Sequence, residues 1–226
     1  MSASANEVVQ SLLDSFQRAK KSSQPYTHWF LTDCLPRSVV DEVLDLPIAA
    51  VPLDGVSGKR ELHNSSRRYF DVDNRDRYPI VAAVAAALQS SEVTSATERI
   101  FGARLGGNYL RIELAQDVDG FWLEPHTDIG VKTFTFLLYL SKDAAHADLG
   151  TDIYDNNRSW VGRSPFASGA AMIFVPSTTT YHGFEPRKIE GVRKSLVINY
   201  VTNDWRAREQ LAYPEQPVAA LEAALV

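Results

Sequence analysis

The chain has 226 residues, 45% of them hydrophobic, a formal net charge of −5 and one cysteine. A length of this order suits one domain with a full core, the acidic balance is the wrong sign for a surface built to neutralise phosphate or anionic lipid, and a lone thiol cannot form an intramolecular disulfide, which fits a reducing, cytoplasmic setting. No stretch approaches the roughly 18 uninterrupted apolar residues of a membrane span, so neither nucleic acid nor a membrane is an expected partner.

Near the N-terminus Val8, Val9, Leu12, Leu13 and Phe16 recur at helical spacing, with Arg18, Lys20 and Lys21 toward the closing end. This predicts an amphipathic helix, and the N-terminal helices are the expected contact if the chain forms a homodimer. Residues 27–31 read as a strand, and Pro36 opens a second helix carrying Val39, Val40, Val43 and Leu44. Residues 54–77 are polar, charged and irregular, which predicts a loop of the kind that carries specificity at a scaffold edge. Its Lys59, Arg60, His63, Arg67, Arg68 and Tyr69 form either a cationic wall for an anionic substrate or, more plainly, a solvated loop. Two apolar-periodic runs, 78–88 and 92–101, predict two further helices. From Asn108 the character changes to short runs of aromatic and β-branched residues at 109–115, 121–123, 132–140, 151–154, 170–175, 181–184 and 194–201. Strands after a helical half suggest a single α+β domain over 1–226, with 1–107 as mainly helical support, 108–202 as an antiparallel double-sheet core and 203–226 as a tail. The Ala-rich end, 215–226, suggests a closing helix.

The chemistry sits in the second half. His126-Thr127-Asp128 follows Pro125 and leads into a strongly apolar strand, and residues i and i+2 of extended chain share a face, so both side chains can serve one ion. His182, between aromatic neighbours on a later run, is the expected third ligand. Two imidazoles and a carboxylate with open positions beside them make the 2-His-1-carboxylate triad of non-haem Fe(II) oxygenases. The same spelling occurs at His146-Ala147-Asp148, in a polar stretch with no strand signal, where a solvated loop histidine is expected. Arg193 and Ser195 share a strand face, and a guanidinium fork with a hydroxyl suits a carboxylate. Arg187 lies nearer His182 but in a loop, and reads as a solvated charge. Phe121, Trp122 and Trp160 line a cavity or fill the core, the core being the plainer reading.

In the order His126-x-Asp128, His182, Arg193-x-Ser195 the chain resembles the Fe(II)/2-oxoglutarate-dependent oxygenases over about residues 109–201. Tyr139-Leu140, Leu149-Gly150-Thr151 and Ile153-Tyr154 resemble the branch related to prolyl hydroxylases. The resemblance implies a double-stranded β-helix, the jelly-roll or cupin-like core, with N-terminal helices packed on the larger sheet. It also implies Fe(II) held by His126, Asp128 and His182, with 2-oxoglutarate and O2 as cosubstrates and Arg193 on the far carboxylate of 2-oxoglutarate. The reaction implied is hydroxylation of an unactivated C–H bond with release of succinate and CO2. Many members of this branch carry a Tyr after the Arg of the strand preceding His-x-Asp, where this chain has Arg111-Ile112. The assisting hydroxyl is therefore expected from Ser195 first, then Tyr109 or Thr135. Relatives that halogenate lack the acidic ligand, so Asp128 favours hydroxylation. A small-molecule substrate is preferred to a peptide or protein side chain. The rival readings are a zinc-dependent hydrolase and a non-catalytic ligand-binding jelly roll.

Overall fold

The computed structural model describes residues 4–50, 53, 58–59 and 67–220. Helix α1 (Ala5–Gln17) starts at a capping box in which the Ser4 hydroxyl accepts from the Glu7 backbone and Glu7 reaches back to Ser4. It ends before the basic residues expected to close it. Lys20 and Lys21 instead belong to a short edge strand, β1 (Lys20–Ser22), paired with β2 (His28–Leu31). Helix α2 (Arg37–Leu44) follows Pro36 as expected.

The stretch expected to be loop contains a strand, β3 (Arg68–Tyr69), and a helix, α3 (Val72–Arg77). That helix buries none of its residues, so it has no apolar period to read. Its signal is the cap, since the Asp71 carboxylate accepts from Asn74 N at 2.9 Å. Helices α4 (Pro79–Gln89) and α5 (Ser91–Phe101) meet at Ser90, which ends one and caps the other.

The strands that follow are β4 (Tyr109–Asp117), β5 (Leu123–His126), β6 (Lys132–Tyr139), β7 (Asp152–Tyr154), β8 (Trp160–Arg163), β9 (Ala171–Phe174), β10 (His182–Phe184) and β11 (Arg193–Val201). They form a seven-stranded sheet in the order β1-β2-β9-β6-β11-β4-β3 and a four-stranded sheet in the order β5-β10-β7-β8, and all of the pairings are antiparallel.

Period-two alternation divides the large sheet cleanly. Leu110, Ile112 and Leu114 of β4, Phe134, Phe136 and Leu138 of β6, and Leu196, Ile198 and Tyr200 of β11 pack in one core with Val8, Leu12, Phe16, Val84 and Val93 of the helices. The helices thus cover one face of the large sheet. Ala115, Leu137, Tyr139, Met172, Phe174 and Val197 face the other way and form a second core with Leu123, Ile153 and Phe184 of the small sheet. The apolar stripe of α1 is consumed inside the chain, which gives no support to a dimer through that face. Residues 215–220 are not helical, and 221–226 lie outside the described residues. Among the described residues no helix is long and apolar enough to cross a membrane.

Candidate metal centre

The antiparallel pairing of β5 with β10 places His126 directly opposite His182, with ring centroids 4.4 Å apart. The Nδ1 of His126 lies 2.8 Å from the Glu124 carbonyl, and that of His182 lies 3.0 Å from the Thr180 carbonyl. A carbonyl only accepts, so each Nδ1 carries a proton, which leaves Nε2 as the atom that can face a metal when the ring is neutral. Burial holds the His182 pKa down to about 3, and the adjacent His126 adds to the effect. His182 is therefore neutral at physiological pH.

Asp128 does not share a strand with His126, as the extended His-x-Asp reading expected. His126 ends β5 and Asp128 sits in the connection to β6. Its buried carboxylate accepts from Lys132 Nζ at 2.5 Å on one oxygen and from Thr135 Oγ1 at 2.6 Å on the other. Burial alone would raise its pKa, but the Lys132 ammonium, His182 and the Thr135 hydroxyl outweigh it and hold the group well below the usual carboxylate range. Thr135 in turn accepts from Asn199 Nδ2 at 2.9 Å. Two imidazoles that can present Nε2 and an ionised carboxylate are a fitting donor set for a divalent ion. Among the described residues no three His, Cys, Asp or Glu side chains form a ready cluster, and the Asp128 carboxylate is bonded to Lys132.

These groups face an inner cavity of about 60 Å³, lined also by Tyr139, Thr151, Arg193, Ser195 and the apolar Phe121, Leu137, Phe184 and Val197. Arg193 is buried. Its Nη1 donates to Asp117 Oδ2 at 2.5 Å and its Nε to the Leu149 carbonyl at 2.7 Å. Two of the five guanidinium N–H groups are committed to the protein, and the two on Nη2 and the second on Nη1 remain. Ser195 lies on the same face of β11 and lines the cavity as expected.

Tyr109 does not reach it. The register of β4 against β11 places Tyr109 opposite Val201 and Asp117 opposite Arg193, about 26 Å apart on an extended strand. The Tyr109 ring lies instead beneath Arg208. Thr135 lines the cavity, but its hydroxyl is spent on Asp128. The hydroxyls that sequence reasoning missed are those of Tyr139, which meets Thr151 Oγ1 at 2.9 Å and Ser164 Oγ at 2.5 Å, and of Thr151 itself. Tyr139 was visible only as part of a Tyr-Leu pattern, and its odd-numbered position on β6 was the available clue.

A second, open groove of about 430 Å³ adjoins the first. It shares His126, Asp128 and Lys132 with the inner cavity and extends to Lys59, Arg67, Glu124, Ile129, Trp205 and Gln210. Its wall is braced by Arg111, which donates to Glu113 (3.0 Å), Tyr69 (3.2 Å), Asn199 (3.3 Å) and Gln210 (3.0 Å). Of the basic loop residues, Lys59 and Arg67 stand on this groove, while Arg60 and His63 lie outside the described residues. The segment carrying Lys59 is fixed to β5 by Glu124 N donating to the Gly58 carbonyl at 2.9 Å. Gly58, at φ +76°, lies so close to the Trp122 ring that a Cβ would collide with it, so Trp122 seats this segment.

Three expectations are corrected. His146 is not a solvated histidine. It is 2% exposed, its Nε2 lies 2.6 Å from the Glu190 carbonyl, and its ring meets Phe166 edge-on. Arg187 is not a solvated charge either, since it pairs with Asp152 at 2.6 Å and stacks on Phe184. Trp160 belongs to neither cavity nor core. It is half exposed on β8, with its indole donating to Asp152.

At the level of sequence, no family model and no curated protein matches the chain. Solved structures do. A prolyl 4-hydroxylase from Phytophthora capsici aligns with 91% of this chain and 68% of its own, at 13% identity and a TM-score of 0.59. A prolyl hydroxylase from Trichoplax adhaerens, solved with a hypoxia inducible factor oxygen degradation domain peptide fragment, aligns over 87% and 88% at 16% identity and a TM-score of 0.57. The non-haem, α-ketoglutarate-dependent epimerase SnoN from nogalamycin biosynthesis aligns over 96% of each chain at 11% identity and a TM-score of 0.54. Identities this low carry the fold alone, and the chain has the fold of prolyl hydroxylases and of this epimerase.

Proposed function

We propose that the chain is a single-domain Fe(II)- and 2-oxoglutarate-dependent dioxygenase whose two antiparallel sheets form a double-stranded β-helix. It hydroxylates an unactivated C–H bond of a small molecule and releases succinate and CO2. The observation that carries this reading is that His126, Asp128, His182, Arg193 and Ser195 line one cavity. A metal-activated hydrolase would have no use for the buried cation and hydroxyl at its far end. His126, Asp128 and His182 would hold the iron, which with 2-oxoglutarate and O2 supplies an oxidant strong enough for such a bond. Arg193 and Ser195, with Tyr139 and Thr151 beside them, would hold the far carboxylate of 2-oxoglutarate. Phe121, Leu137, Phe184 and Val197 keep water from the reacting centre, and the groove beyond Lys132 admits the substrate.

The test is an anaerobic titration with Fe(II) and then 2-oxoglutarate. A weak visible charge-transfer band that needs both additions and is lost in Asp128→Ala is the expected result, as is loss of 2-oxoglutarate turnover in that variant. Tight zinc binding with no band would favour the hydrolase or binding-module readings. A second reading, the same chemistry on a peptide or protein side chain, is favoured by the fold shared with the Trichoplax enzyme and its peptide.

A further inference from the structure

We infer that Asn199 is a positioning residue of the metal centre, which through Thr135 fixes how the Asp128 carboxylate is presented to an ion. This rests on the oxygenase reading, in which Asp128 is a metal ligand, and goes beyond it by naming what holds that ligand in place. The strand register sets Asn199 of β11 between Arg111 of β4 and Thr135 of β6, and none of the three is more than 1% exposed. The polarity of this row is dictated from one end. A guanidinium only donates, so the amide atom 3.3 Å from Arg111 Nη1 is Asn199 Oδ1. The Nδ2 of the amide then points the other way, where it donates to Thr135 Oγ1 at 2.9 Å and to the Phe134 carbonyl at 3.4 Å. With a donor already on its oxygen, the Thr135 hydroxyl sends its one proton to Asp128 Oδ2, 2.6 Å away. Arg111 is itself held in place by bonds to Gln210, Tyr69 and Glu113 at 3.0 to 3.2 Å.

Two features separate this row from ordinary packing. Its neighbours on the same sheet face, Leu137, Val197 and Phe174, are apolar, and apolar side chains at 135 and 199 would fill the space without the desolvation that buried polar groups cost. The hydrogen bonds that offset this cost end on one group of chemical consequence, the Asp128 carboxylate. The second feature is the division of labour between the carboxylate oxygens. Thr135 fixes Oδ2, and Asn199 keeps the Thr135 hydroxyl from turning to another rotamer. Oδ1 is bonded to Lys132, a long side chain with 17% of its surface exposed and room to swing away. Oδ1 is therefore the oxygen that exchanges Lys132 for an ion, while Oδ2 stays bonded to the sheet.

The test is a double-mutant cycle on metal affinity. Mn(II) binding is followed by EPR in the native protein, Asn199→Ala, Thr135→Val and the double variant, with melting temperatures on the same samples and Asp128→Ala as the reference for a missing ligand. Each single variant should weaken Mn(II) binding about tenfold, and the double variant should bind no more weakly than Thr135→Val, since Asn199 then has nothing to act on. Asn199→Asp keeps an acceptor for Arg111 but offers Thr135 no donor. It should also weaken binding about tenfold, and it takes the place of Asn199→Ala in the cycle if that variant fails to fold. The visible bands of the Co(II)-loaded protein, which report the ligand arrangement, should shift in Asn199→Ala as they do in Thr135→Val. Native Mn(II) affinity in the Asn199 variants overturns the inference, as do losses that multiply to about a hundredfold in the double variant or Mn(II) binding that is indifferent to Asp128→Ala. The expected cycle in a protein that binds no 2-oxoglutarate would instead count against the oxygenase reading and leave the role of Asn199 standing.

Discussion

At the scale of single residues the centre is defined by which atom of each side chain is already engaged. His126 and His182 spend Nδ1 on backbone carbonyls, and Thr135 spends its hydroxyl on Asp128. Thr135→Val keeps the shape but frees Asp128 to rotate. We expect metal affinity to fall by about tenfold or more and stability by about 1–2 kcal/mol, read by Mn(II) titration and urea denaturation. Arg193→Leu removes the guanidinium from Asp117, and stripping one partner from a buried pair costs about 3–5 kcal/mol. The double variant Arg193→Leu/Asp117→Leu should recover part of that loss in the same denaturation series, while 2-oxoglutarate binding stays abolished. That His126, Asp128, His182, Arg193 and Ser195 share one cavity was legible in the sequence because residue types of such specific chemistry stand there at such spacing. Asp117, Lys132 and Thr151 were not, because each joins the site only through strand register, which no local pattern records.

At the scale of elements the site depends on how closely β10 lies against β5. Gly183 sits where an added Cβ would come within 2.8 Å of the Leu123 carbonyl and 3.1 Å of the Glu124 carbonyl. Gly183→Ala should therefore push the strands apart and part His182 from His126. The expected result is weakened metal binding out of proportion to any change in melting temperature, measured on the same samples. Helices α1, α2, α4 and α5 and most strands were legible because each buries an apolar face with a regular period. The missed elements share a physical reason. Strands β1, β3 and β8 and helix α3 are short, and all but β3 are largely exposed, so no alternation or amphipathic stripe marks them. From sequence, His126 to Asp128 reads as extended strand because the two residues have the spacing of one strand face, whereas β5 ends at His126.

For the whole molecule, the helix-covered face supplies the bulk of the core and the opposite face carries the chemistry. Cys34 lies wholly within the first of these, beside Ser15 Oγ at 3.3 Å, and burial pushes its thiol up to about 12. The native protein should resist thiol reagents at about pH 8 and react only as it unfolds in urea, so labelling rates report opening of the helix layer. Acid sensitivity follows from buried neutral histidine. Burial lowers the His28 pKa against a weaker opposing bond to the Tyr26 carbonyl. The unfolded chain takes up a proton that the native state resists, so this stability is present above about pH 6.5 and is lost as pH falls below it. Urea midpoints at about pH 5 and pH 7.5 should show the drop, and His28→Phe should lessen it.

The strand orders also bear on how the protein is made. β11 lies between β6 and β4, and β10 between β5 and β7. In each sheet a late-synthesised strand joins neighbours that left the ribosome earlier. Until residues 182–201 emerge, the nascent chain holds open strand edges, which are prone to pair with other chains. The strands that close those edges also bring His182 and Arg193. A prematurely terminated chain would therefore be both sticky and inert, and completion of the sheets and completion of the centre are one event.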